Sequence, residues 1–94
     1  MSVYLVTWDI NKAKPNYTDA RAKFIARLDK YDRIKDQSLD SVVFISTTST
    51  AKQVSDDLKI VLDTNDSLIV TKIVPGNYYG WLQGETWNWI AAKL

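Results

Sequence analysis

The chain of 94 residues contains neither cysteine nor histidine. A disulfide framework, a zinc site with Cys or His ligands, and a Ser-His or Cys-His catalytic pair are therefore excluded. Glycine and proline are scarce, with three and two residues, and no apolar run approaches the roughly 18 residues that span a bilayer. Any catalysis by this chain would have to use carboxylates, hydroxyl groups, lysines and a hard metal ion.

The composition is that of an ordinary globular protein, with 46% hydrophobic and 24% charged residues. A chain of this length has room for one modest hydrophobic core, so we expect a single domain over residues 1–94. The start of the chain lacks the basic segment of a signal peptide. We therefore expect a cytoplasmic protein that does not associate with a membrane.

The charges are unevenly distributed, although the net charge is only +1. Residues 1–35 contain eight Lys or Arg and four Asp, whereas residues 36–94 contain four Lys and seven acidic residues. A basic segment of this kind can mark an anionic partner such as nucleic acid. The alternative interpretation is an ordinary solvated face.

Hydrophobic periodicity predicts an alternation of strands and helices. Runs rich in β-branched and aromatic residues indicate strands over residues 3–10, 33–38, 41–46 and 67–74. Apolar residues at helical spacing indicate helices over residues 18–32 and 51–62. Thr50 and Gln53 form a capping-box pattern at the start of the second helix.

This order of elements predicts an α+β, ferredoxin-like domain over residues 1–75. In that β-α-β-β-α-β arrangement, an antiparallel sheet carries two helices on one face. Residues 76–94 form a C-terminal extension that contains all three glycines. We expect the extension to be a glycine- and aromatic-rich tail that ends in a short helix over residues 85–93.

The aromatic residues of this tail have two interpretations. Tyr79 and Trp81 lie in a glycine-rich loop and would bind nucleic acid by stacking on bases of any sequence. The alternative is that the loop folds back over the sheet or over the edge of a partner. Trp87 and Trp89 are two positions apart and cannot share one helix face, so one of them could contact a second subunit.

Several short motifs carry a resemblance to a known superfamily. The first predicted strand ends in an aromatic residue followed by Asp at residues 8–9, and the third opens with Ser-Val-x-Phe at residues 41–44. These features resemble the small CRISPR-adaptation protein and its VapD toxin relatives. The tail sequences at residues 76–82 and 85–90 resemble the SinR family of the same superfamily, so the resemblance covers nearly the whole chain.

The resemblance implies a homodimer in which Asp9 faces its symmetry mate. In some members this Asp pair is proposed to bind a divalent metal, and in others the protein only bridges nucleic acid. Asp9 is therefore the expected catalytic residue and Mg²⁺ ligand of a metal-dependent nuclease acting on RNA or DNA. One alternative is that Asp9 only makes a turn, and another is a non-catalytic dimer that binds nucleic acid or protein.

Basic side chains supply the remaining predicted nucleic-acid contacts. Two lie on the loop beside Asp9, and three share one face of the first helix, where they would follow phosphates. They are Lys12, Lys14, Lys23, Arg27 and Lys30. The alternative for the helix is an ordinary charged surface, since Asp19 and Lys23 are spaced as an i, i+4 ion pair.

Overall fold

The computed structural model describes residues 1–94 as four strands and three helices. The strands are β1 (Ser2–Asp9), β2 (Asp32–Ile34), β3 (Val42–Thr47) and β4 (Ser67–Lys72). The helices are α1 (Tyr17–Leu28), α2 (Ala51–Lys59) and α3 (Gly84–Lys93).

The strands form one antiparallel sheet in the order β2-β3-β1-β4. Helix α1 connects β1 to β2 across β3, and α2 connects β3 to β4 across β1. The register places Val6 of the central strand opposite Val43 on one side and Val70 on the other. The predicted α+β class with an antiparallel sheet is confirmed, and the short strand β2 lies at an edge.

Helices α1 and α2 cover one face of the sheet, and the larger core cluster lies between them. Val6 of β1, Phe24 of α1 and Leu58 of α2 are fully buried in this cluster. Trp8 packs against Phe24 with ring centroids 4.9 Å apart. The alternate residues of β1 point into this core because successive strand side chains face opposite sides of a sheet.

Helix α3 covers part of the opposite face. Ile90 of α3 is fully buried against Val3, Phe44 and Ile73 in a second, smaller cluster. The coverage is incomplete, since Ile69 on β4 is 57% exposed. The sheet therefore has one face covered by two helices and one that is covered only near α3.

Local sequence explains the start of α2, whereas sheet pairing explains the early end of α1. The Thr50 N–H donates to Gln53 Oε1 at 2.8 Å, and the Gln53 N–H donates to Thr50 Oγ1 at 3.1 Å, so the predicted capping box is confirmed. The first helix was expected to reach residue 32, yet α1 ends at Leu28. The apolar spacing continues to Tyr31, but the chain turns there because β2 begins at Asp32.

None of the three helices combines the length and the apolar character that crossing a membrane requires.

Candidate functional site

A cleft of about 510 Å³ opens where β1 ends. Five charged side chains line it, together with Trp8, Tyr17 and neighbouring polar residues. The charged residues are Asp9, Lys12, Arg21, Lys35 and Asp40. We call this site the β1-end cleft.

The sheet and the first turns of α1 build the walls of the β1-end cleft. Trp8 is buried against Phe24, which holds the end of β1 against α1. Tyr17 begins α1, and Arg21 follows one turn later on the same side of the helix. On the other wall, Thr7 Oγ1 donates to the Ser41 carbonyl at 2.7 Å and ties the end of β1 to the segment that enters β3.

The loop that carries Lys12 is held by Asp66, which precedes β4. Asp66 Oδ1 accepts from the Asn11 N–H at 2.9 Å, and its Oδ2 accepts from Lys14 Nζ at 2.8 Å. Lys14 also binds Asp63 at 2.9 Å. Hydrogen bonds from Asp66 and Asp63 raise the pKa of Lys14. Lys14 therefore fixes the loop, whereas Lys12 is exposed and has no salt-bridge partner.

The basic side chains without a salt bridge are concentrated in the β1-end cleft. Eight of the twelve Lys and Arg side chains pair with a carboxylate. The four others are Lys12, Arg21, Lys35 and Lys72. Because the first three of these line one cleft, their charges remain available to an anion there.

Lys35 is half-buried, whereas the other two cations of the cleft are exposed. Its Nζ donates to the Leu39 carbonyl, which ties it to the segment between β2 and β3. Burial lowers the pKa of Lys35, the negative charge of Asp40 opposes that change, and the positive charge of Arg21 adds to it. Asp40 and Arg21 therefore both lie close enough to Lys35 to influence its charge.

Asp9 and Asp40 are the carboxylates of the β1-end cleft, and neither is in a salt bridge. Magnesium is commonly bound by one or two carboxylates together with waters and substrate phosphates. Carboxylate oxygens are the donor type that such an ion prefers, but the chain contains no group of three Asp, Glu, His or Cys side chains that would hold it alone. Further oxygen ligands would have to come from a substrate or a second subunit.

The basic face predicted on the first helix is largely paired within the chain. Lys23 lies 3.3 Å from Asp19, the i, i+4 pair that the alternative interpretation expected. Asp57 of α2 accepts from Arg27 at 2.8 Å and from Lys30 at 3.1 Å. A role for these three cations in nucleic-acid binding stays a prediction that would require them to exchange partners.

Asp57 also receives a hydrogen bond of 2.7 Å from the Tyr31 hydroxyl. Burial opposes the ionisation of Asp57, but hydrogen bonds from Tyr31, Lys30 and Arg27 outweigh burial and lower its pKa. Burial and the bond to Asp57 raise the pKa of Tyr31 to about 12. This cluster joins the end of α1 to α2.

The aromatic residues of the tail form a groove on the partly covered face. Trp81 is 98% exposed and Tyr79 is 88% exposed. Tyr78 is half-buried and stacks on Trp87 with ring centroids 5.9 Å apart. A cavity of about 380 Å³ next to these rings is lined mostly by hydrophobic residues, including Leu5 and Leu39. We call it the aromatic groove.

Asp36 was not among the predicted site residues, yet it is fully buried. Its Oδ2 accepts from the Gln83 N–H at 3.0 Å and from Thr86 Oγ1 at 2.7 Å, while its Oδ1 accepts from Ser38. Hydrogen bonds from Ser38, then Thr86 and Gln83, hold the pKa of Asp36 well below its usual range. Asp36 fastens the start of α3 to the β2-β3 connection.

No model of a known protein family matches the chain, and no curated protein matches it. The chemistry of the β1-end cleft must therefore be inferred from its own side chains.

Of the five charged residues in the β1-end cleft, the sequence predicted Asp9 and Lys12 but missed Arg21, Lys35 and Asp40. Arg21 and Lys35 lie within the basic segment of residues 1–35. However, only the pairing of β1 with β3 brings the 35–41 segment to the end of β1.

Proposed function

We propose that this protein binds the phosphate backbone of nucleic acid in the β1-end cleft and acts as a homodimer. One observation carries the proposal. Three of the four basic side chains that make no salt bridge, Lys12, Arg21 and Lys35, line this single cleft. Lys and Arg contacts with phosphates supply most of the sequence-independent affinity of nucleic-acid-binding proteins.

We also propose that the domain has a ferredoxin-like fold and that it belongs to the CRISPR-adaptation and VapD-like superfamily. The strand order, when written from the other edge as β4-β1-β3-β2, supports the split β-α-β arrangement. The packing of α1 and α2 on one face supports it as well. Asp9 at the end of β1 occupies the position at which the resemblance expects a functional carboxylate.

Nucleic-acid binding can be tested by removing cations from the β1-end cleft. We expect Lys12→Ala/Arg21→Ala to weaken binding of end-labelled RNA and DNA at least about tenfold, as measured by fluorescence anisotropy. The plot of log affinity against log salt has a negative slope, and the magnitude of that slope should decrease by about 1.4 to 1.8, since each phosphate contact contributes about 0.7 to 0.9. Neither side chain is in a salt bridge, so the fold should be retained.

The matched control is Lys52→Ala/Lys59→Ala, which removes the same charge from the exposed face of α2. This variant should bind within about twofold of the wild type, because loss of a distant surface charge acts only through the screened overall field. Equal losses in both double variants would show that net charge, not the cleft, governs binding. Absence of binding by the wild type to any RNA or DNA would refute the proposal.

The second proposed function is metal-dependent cleavage of phosphodiester bonds. It is favoured by the position of Asp9 and Asp40 in the same cleft as the three available cations. Carboxylates that bind a divalent ion beside cations that bind phosphate are the recurring components of phosphoryl-transfer sites. Mg²⁺ would be held by Asp9, with Asp40 as a second oxygen donor, and when bound it would polarise a phosphoryl oxygen.

In that reaction the residues of the chain itself bind and orient the substrate. Lys12 and Arg21 would hold the backbone phosphates that flank the scissile bond, which limits the positions that a strand can occupy in the cleft. Lys35 would neutralise part of the charge that develops on the reacting phosphate. The symmetry-related Asp9 of a dimer would supply the further carboxylate that one chain lacks.

Cleavage can be tested with the purified protein, RNA or DNA substrates, and Mg²⁺ or Mn²⁺. Asp9→Asn should reduce the rate at least about 100-fold, since it removes the charged metal ligand, whereas chelation by EDTA should abolish cleavage. Asp19→Asn provides a matched control because it removes one exposed carboxylate outside the cleft. Undiminished cleavage by Asp9→Asn would refute the catalytic role, and binding without cleavage would leave the binding function alone.

A further inference from the structure

The β1-end cleft and the aromatic groove lie on two sides of the same connection between β2 and β3. Lys35 and Asp40 of this connection line the cleft, whereas Leu39 between them lines the groove. A charged cavity and an aromatic cavity are therefore separated by only one short segment. A ligand that carries both phosphates and apolar rings could occupy the two together.

Asp36 fixes the spacing between the two cavities. Trp81 is two residues before Gln83, whose backbone N–H donates to Asp36 Oδ2 at 3.0 Å, and Asp36 follows Lys35 directly. Successive Cα atoms are 3.8 Å apart, so this connection keeps the Cα atoms of Trp81 and Lys35 within about 20 Å of each other. At about 3.4 Å for each nucleotide, the spacing along one strand of stacked DNA, no more than about six nucleotides are needed to cover that distance.

Two aromatic side chains of the groove are exposed enough to stack on a ligand. Trp81 and Tyr79 are almost completely exposed, so their faces are open to a planar ligand. The half-buried Tyr78 and Trp87 stack on each other and support the loop that carries them. An exposed aromatic face stacks on a base only when that base is not already covered by its neighbours in a duplex.

We infer that the aromatic groove binds the unpaired bases of a single strand whose phosphates lie in the β1-end cleft, and that the protein therefore prefers single-stranded nucleic acid to a duplex. This inference depends on the proposed nucleic-acid binding and specifies its substrate. Trp81 and Tyr79 contact the bases, whereas Lys12 and Arg21 contact the backbone. Stacking on an aromatic face tolerates any base, so the preference is for strand type and not for base sequence.

The test compares end-labelled oligonucleotides of about 12 nucleotides, roughly twice the span between the cavities, as single strands and as blunt duplexes of the same sequence. The wild type should bind the single strand more tightly. Trp81→Ala should weaken single-strand binding by about 5- to 150-fold, the range for loss of one stacked base, and should leave duplex binding within about twofold. Quenching of tryptophan fluorescence on binding provides a second readout.

Two conservative variants separate stacking from simple apolar contact. Trp81→Phe keeps an aromatic face and should retain most of the affinity, whereas Trp81→Leu keeps an apolar side chain without that face and should bind as weakly as Trp81→Ala. Equal binding by Trp81→Leu and the wild type would overturn the inference. Ile60→Ala, which removes an exposed apolar side chain on the distant end of α2, serves as the control.

The outcomes also distinguish this inference from the proposed function. If Lys12→Ala/Arg21→Ala loses binding but Trp81→Ala does not, nucleic-acid binding stands and the stacking role is wrong. If the wild type binds no nucleic acid, both are wrong. If Trp81→Ala changes only the sedimentation coefficient, the groove is an interface between copies of the chain, and the inference is likewise overturned.

Discussion

Asp36 is a buried carboxylate whose negative charge is stabilised by hydrogen-bond donors and not by a cation. Ser38, Gln83 and Thr86 donate to its two oxygens, and the start of α3 is thereby held against the β2-β3 connection. Burying a charge is costly unless ion pairs, a metal or hydrogen bonds compensate it, and here hydrogen bonds do so. A single residue thus joins the tail to the connection that lies between the two cavities.

Replacing Asp36 with Asn should destabilise the protein clearly. The amide group has only one acceptor oxygen, so at least one of the donors would be left buried without a partner. We expect the Tm to fall by at least about 5 °C, given the usual change of about 4–8 °C for each kcal/mol in a domain of this size. Differential scanning calorimetry measures the change, and the exposed Asp40→Asn serves as control. An unchanged Tm would contradict this account of Asp36.

Asp36 should also make the stability dependent on acid. Its pKa is lower in the folded chain than the ordinary value of 3.8, so the unfolded chain binds the proton more tightly. This contribution to the free energy of unfolding is therefore complete well above pH 4 and decreases as the pH falls below that value. Urea unfolding at a series of pH values should show a steeper acid loss for the wild type than for Asp36→Asn. The same dependence of unfolding free energy on pH in the two proteins would contradict this role of Asp36.

At the scale of the elements, local sequence patterns predicted which elements form better than where they end. The order of strands and helices and the start of α2 followed from residue types, because caps and periodicity depend on neighbours within a few positions. The end of α1 did not, since β2 must begin at Asp32 to pair with β3. Strand β2 has three residues, each paired with β3, whereas the sequence predicted a strand over residues 33–38.

The capping box gives a prediction for α2. Thr50→Ala removes the side chain that accepts from the Gln53 N–H, so the free energy of unfolding should fall by about 1 kcal/mol. Chemical denaturation monitored by circular dichroism would measure the loss. Thr48→Ala, two residues earlier and exposed, should change stability much less. A similar loss in both variants would show that the cap contributes nothing specific.

For the whole molecule, the central feature is the unequal covering of the sheet. Helices α1 and α2 close one face, while α3 closes the other only near Val3 and Phe44. Strand β4 lies at an edge, with Ile69 at 57% and the following Val74 at 46% exposure. An edge strand with exposed apolar residues is a ready surface for pairing with another chain.

The expected homodimer can be tested at this edge. Ile69→Lys should raise the dissociation constant of the dimer at least about tenfold, because a charged side chain would have to be buried in the interface. Ile60→Lys, at a similarly exposed site near the end of α2, is the matched control. Sedimentation velocity over a range of concentrations measures both. A monomeric wild type would refute the homodimer, and equal dissociation constants would place its interface elsewhere.

The residue pattern alone was sufficient for the fold class, for the capped start of α2 and for the Asp19–Lys23 pair, because each depends on short-range spacing. It was not sufficient for the candidate site. Lys14 is paired with Asp66, 52 positions away, and Arg27 with Asp57, 30 positions away. Such distant partners are chosen by the strand order and by the helix packing on the sheet. Only the tertiary structure therefore decided which cations are neutralised and which three remain available in the β1-end cleft.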